Sequence, residues 1–101
     1  MIEDVNRGVQ TELARRISAI ERQGAIAGLA REIDAIRRIA HRNGMLPAVT
    51  VAHLLESALA RGERGVLIHD WLVMLGEAVR SARHDRATSE TFAAACQVRF
   101  S

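Results

Sequence analysis

The stretch AIERQGAIAGLA, residues 19–30, decides whether the first part of this chain is one helix or two. Before it, Ile2, Val5, Val9, Leu13, Ile17 and Ile20 recur at steps of three and four, the spacing of one helix face. After it, Ile26, Leu29, Ile33, Ile36 and Ala40 form a second stripe. At about 100° per residue the two stripes point in nearly opposite directions along a single straight helix. One long helix would have to bury opposite sides in its two halves. A break near Gln23-Gly24 removes the conflict. It gives helix one over residues 3–21 and helix two over residues 25–42, with Gly24 and Gly28 serving a turn and a close approach of helices. Within helix one, Glu3–Arg7 and Glu12–Arg16 are i,i+4 pairs in the favourable order, each contributing about 0.3 kcal/mol.

The same reading continues downstream. Helix three covers residues 47–61, with Pro47 in the first turn, where its missing N–H costs nothing. Val51, Leu54, Leu55, Ala58 and Leu59 face inward, and Gly62 supplies the stop. Helix four covers residues 64–84, with a wide stripe of Leu67, Ile68, Trp71, Leu72, Leu75, Ala78, Val79 and Ala82. Helix five is short, residues 89–99, capped by Thr88 or Ser89, with Phe92, Ala95 and Cys96 on its apolar side. No stretch alternates with period two for long enough to make a strand, and no linker divides the chain. Seventeen alanines and a single proline, Pro47, suit helices. The expectation is an all-α fold in one domain, residues 1–101: an up-and-down bundle of four main helices plus a short C-terminal helix.

Charge narrows the partners. All 14 basic side chains are arginine, and lysine and tyrosine are absent, so the sequence pI near 9.9 overstates a formal net charge of only +2. The surplus lies in residues 24–44, where four arginines face two acids; every other segment is balanced. Neutralising several phosphates takes a denser patch. Trp71, Phe92 and Phe100, mostly at core spacing, do not make a stacking platform. Nucleic acid is therefore not the expected partner. One alternative is a DNA-binding regulator using the helix two–helix three region, which would expose Thr50, His53, Ser57 and Arg61 as its reading face.

Catalytic material is sparse. Ser18, Ser57, Ser81 and Ser89 lie in no nucleophile motif. His53 and Glu56 have a metal-compatible i,i+3 spacing, but a site needs a third ligand, and the pair reverses the Glu-x-x-His order of di-iron bundles. In His69-Asp70 and His84-Asp85 the neighbours diverge by about 100° on a helix, so neither pair converges on an ion. His84-Asp85 reads as the end of helix four. Cys96, alone within AAACQV, reads as a small core hydrophobe. No enzyme activity, metal or cofactor is expected. MIEDVNRG carries no apolar signal region, and the longest apolar run, residues 71–75, is too short for a membrane span. The expectation is a soluble, cytoplasmic protein.

One segment remains, RRIAHRNG at residues 37–44. Its positive charge suits the negative end of helix two, Asn43 or Gly44 can take the left-handed conformation, and Pro47 opens the next helix. A second alternative makes His41 the phosphoacceptor of a divergent histidine phosphotransfer protein. The usual His-x-x-Lys-Gly pattern fails here, because the chain has no lysine and Asn-Gly then Pro stops the helix. What survives is a contact surface for an acidic partner made of Arg37, Arg38, His41 and Arg42. The leading expectation is a non-enzymatic interaction or regulatory module. It would act as a homodimer paired through the narrow stripe of helix one, with a protein partner of unknown identity.

Overall fold

The computed structural model describes residues 2–23 and 27–100, with side chains from Arg7 onward. The helix-two positions Ala25 and Ile26, the turn at Gly24 and the Glu3–Arg7 pair lie outside the described residues. The chain is all-helical: α1 Ile2–Gln23, α2 Leu29–Arg42, α3 Leu46–Ala60, α4 Val66–Val79 and α5 Arg86–Phe100. No strand occurs among the described residues.

The first part is two helices. α1 ends at Gln23, and Gly28 stands before α2 with φ 81°, a left-handed backbone that a continuous helix cannot contain. That conformation also delays α2 to Leu29, later than the apolar pattern predicts. Its stripe is as read: Leu29, Ile33, Ile36 and Ala40 are buried.

The two stops that flank α3 have the same construction. At the end of α2, the Met45 amide donates to the Ala40 carbonyl and the Gly44 amide to that of His41, with Gly44 at φ 69°. At the end of α3, Glu63 donates to Ala58 and Gly62 to Leu59, with Gly62 at φ 97°. Both are Schellman motifs, in which the left-handed residue lets two orphan carbonyls be satisfied. Gly44 takes that role rather than Asn43, whose φ is −107°. Met45 and Ala40, the apolar pair that accompanies the first motif, are both fully buried.

Between these stops α3 is the most enclosed helix. α2, α4 and α5 all pack against it, while α1 packs on α4 and α2. Pro47, Ala48, Val51, Ala52, Leu55 and Ala58 are buried, and within the helix only Leu46, His53 and Ala60 are exposed. Contacts between helix ends give the directions. Gln10, early in α1, donates to the carbonyls of Val79 and Ser81 at the end of α4, and Glu21, late in α1, pairs with His69 near the start of α4. Those two helices therefore run antiparallel.

Three further boundaries, in α4 and α5, differ from expectation. α4 is shorter at both ends. Gly65, at φ 78° and ψ −140°, is non-helical, and the chain leaves the helix at Arg80. Ser81 then closes a local turn, its hydroxyl donating to the Arg83 carbonyl and accepting from the Arg83 amide. Leu67 and Ala82, expected inside, are exposed. α5 is not short: at 15 residues it matches α3. It starts early because Asp85, not Thr88 or Ser89, caps it by accepting the Thr88 amide at 2.8 Å. Hydrogen bonds from Thr88, with Arg83 alongside, push the Asp85 carboxyl down to about 2. Ser89 is instead buried and hydrogen-bonds Thr50 of α3. On the inward side of α5, Cys96 is buried and Phe92 packs on the core, but Ala95 faces outward.

Trp71 stacks on Phe100 with ring centroids 3.9 Å apart, which ties α4 to the end of α5. The ring is 3% exposed and its Nε1–H finds no acceptor among the described residues. Trp71→Ala should therefore cost about 3–5 kcal/mol in chemical denaturation. Trp71→Phe loses about 1 kcal/mol of packing but also removes an unpaired buried donor, so it should stay within about 1 kcal/mol of wild type. A large loss for the Phe variant would mean that the indole N–H has a partner.

Candidate functional site

The four residues singled out at the end of helix two do converge. Arg37, Arg38, His41 and Arg42 line one surface groove on the last two turns of α2. The helix periodicity brings them there: residues three and four apart share a face, so 38, 41 and 42 are neighbours. His41 and Arg42 also fall in the last turn, where positive charge meets the negative end of the helix dipole.

Their electrostatic states differ. Arg37 is committed inside the protein. Its Nη2 donates to Asp34 at 2.5 Å and its Nε to Glu56 of α3 at 2.7 Å. The Asp34 hydrogen bond first, and that of Glu56 second, raise the Arg37 guanidinium above its ordinary range. Arg37 is therefore an interhelix bridge rather than a free contact. Arg38 shares the same Asp34 at 2.9 Å, yet its side chain is 69% exposed. His41 and Arg42 are exposed and make no ion pair among the described residues. The groove thus holds three guanidinium groups against two carboxylates. It is a milder positive surface than the sequence alone implies.

Other expected positions fall as follows. Glu56, which stands at metal-compatible spacing from His53, is turned to Arg37, and the His53 side chain is exposed. On the face proposed for reading DNA, Thr50 is half-buried under α5 through its hydrogen bond to Ser89, and Ser57 is half-buried; His53 and Arg61 are exposed. His69 pairs with Glu21 at 3.0 Å and Asp70 with Arg99 at 3.6 Å. Burial pushes the Cys96 thiol up, which disfavours the reactive thiolate. The stripe of helix one is not free for pairing: Leu13 and Ile17 are buried, and Val9 and Ile20 pack against the same core. Among the described residues, no three His, Cys, Asp or Glu side chains gather as a metal site would require, and no helix is long and apolar enough to cross a membrane.

No family model matches this chain, and no curated protein and no solved structure is similar to it. The site is therefore read from its own geometry.

Sequence spacing found the groove but missed the role of Arg37, because Glu56 lies 19 residues away on another helix. The difference is measurable. Arg37→Ala leaves Glu56 without its partner and should cost about 1 kcal/mol. Arg38→Ala removes only an exposed pair and should leave the unfolding midpoint within experimental scatter. Equal midpoints for the two variants would show that the Arg37 bridge adds nothing.

Proposed function

We propose that the protein is a non-enzymatic interaction module that receives an acidic segment of another protein in the groove at the end of α2. The observation that carries this reading is the convergence of Arg38, His41 and Arg42 on one groove, beside an Arg37 already anchored to α3. Guanidinium forks on a rigid helix suit carboxylates, which they bind through paired charge-assisted hydrogen bonds. The helices are proposed to follow an up-and-down order. Its support is the short connections and the pairing of opposite helix ends by Gln10–Val79 and Asp70–Arg99. In that order α3 braces α2 along its length and holds the groove in place.

The reading is checked with a labelled Asp/Glu-rich peptide followed by fluorescence anisotropy at low ionic strength. Saturable binding is expected, weakened about tenfold when Arg38, His41 and Arg42 are replaced together by alanine, with the helical signal unchanged. Equal binding by wild type and variant defeats the proposal. Competition by random-sequence DNA stronger than the peptide itself would favour the DNA-regulator alternative instead.

A homodimer is a second reading with its own support. Val66, Leu67 and Val73 of α4 and Val98 of α5 are large apolar side chains left on the surface, and Val66 and Val98 are at least 80% exposed. Light scattering at micromolar concentration should then give twice the 11.1 kDa chain mass. A single-chain mass removes it.

A further inference from the structure

We propose that Asn43-Gly44 is a modification site, an asparagine whose conversion to aspartate or isoaspartate is held back by the hydrogen bonds that close α2. The site uses none of the groove side chains and does not depend on that reading. The chain has two asparagines, Asn6 before Arg7 and Asn43 before Gly44. Only the second is followed by a residue with no side chain to shield its backbone nitrogen. The Gly44 nitrogen, once a base has taken its proton, attacks Cγ of Asn43. The new N–Cγ bond closes a five-membered succinimide, the Cγ–Nδ2 bond breaks, and ammonia leaves. Water then opens the ring. Opening at Cγ gives aspartate. Opening at the main-chain carbonyl gives isoaspartate, with the chain rerouted through Cβ. Water enters, ammonia departs, and no redox partner is needed.

Gly44 is exposed, so water and base reach it, yet the folded stop blocks each requirement of ring closure. The attacking N–H is engaged as a donor to the His41 carbonyl at 3.2 Å. The Asn43 amide is held back along the helix, its Nδ2 donating to the Ile39 carbonyl at 2.8 Å. At ψ 11° the Gly44 nitrogen lies on the side of Asn43's own nitrogen, whereas the ring needs it on the side of Cβ. Turning it there drags the chain beyond, starting with Met45. The Met45 amide donates to Ala40 at 2.9 Å, and its side chain is fully buried. The reaction therefore starts only from an opened stop, with Met45 drawn out of the core. It also runs one way. The product has lost the Nδ2 donor, and its carboxylate stands at the negative end of α2, among unpaired carbonyls. In isoaspartate the extra main-chain atom shifts Gly44 and Met45 away from their acceptors as well. Opening thus converts a stop that closes into one that does not close again.

The test compares the whole chain in buffer and in concentrated guanidinium chloride at the same mildly alkaline pH. Residue 43 is followed by peptide mapping with mass spectrometry after digestion in acid. In denaturant it should convert to a mixture of aspartate and isoaspartate while Asn6 stays an amide. In the folded protein conversion should be slower by about tenfold or more. Hydrogen exchange of the Gly44 amide in the folded wild type gives an independent measure. Its protection should match the slowing within about threefold, since both report the same opening. Met45→Ala, with its helical signal retained, should speed the folded reaction and leave the denatured one unchanged. The proposal is overturned if Asn43 converts equally fast in both states, or if it stays an amide in denaturant. It is overturned equally if Gly44 exchanges without protection while conversion is slow, since the stop would then not be the guard.

Discussion

Three helices can lie against α3 at once because its buried positions alternate small and medium side chains. Ala48, Ala52 and Ala58 are fully buried alongside Val51 and Leu55. Alanine lets a neighbouring helix approach near the short end of the usual 8–10 Å separation, and the branched residues fill the space between. Around that axis the larger apolar groups come from the partners: Ile33 and Ile36 from α2, Trp71 and Leu75 from α4, Phe92 and Cys96 from α5. A larger residue at any of the three alanines would have to push a whole helix outward, because close-packed interiors hold no spare volume.

Arginine supplies every permanent cation apart from the chain terminus, and the fold sorts these side chains into two populations. Some are neutralised within the protein. Arg37 is the clearest, since it joins α2 to α3 through Asp34 and Glu56. Others carry no ion pair among the described residues, as Arg42 does beside the paired Arg37 and Arg38 in the groove at the end of α2. A nearly neutral chain can thus carry localised positive surfaces, since local arrangement rather than total charge sets the field a partner meets.

Helix faces were legible in the sequence and helix ends were less so. Leu29, Ile33, Ile36 and Ala40 are buried where their spacing placed them, because a stripe about three turns long has one way to face a core. The ends of α4 and the start of α5 were misread because local hydrogen bonds set them: the Ser81 turn and the Asp85 cap compete with helical continuation. The groove residues were found by counting, as they lie within two turns of one helix. The Arg37–Glu56 bridge escaped, since 19 residues separate the two and only the docking of α2 on α3 brings them together. Periodicity reports which face is apolar, not which polar groups meet across an interface.

The left-handed glycines at both ends of α3 fix more than its length. A helix that ended in ordinary fraying turns could lengthen at one end and shorten at the other, shifting its register past its neighbours. The Gly62 motif closes that route at the end of α3, and the Gly44 motif closes the end of α2 just before α3 begins. A group that meets the end of α2 therefore meets a helix terminus whose backbone geometry the Gly44 motif has already set.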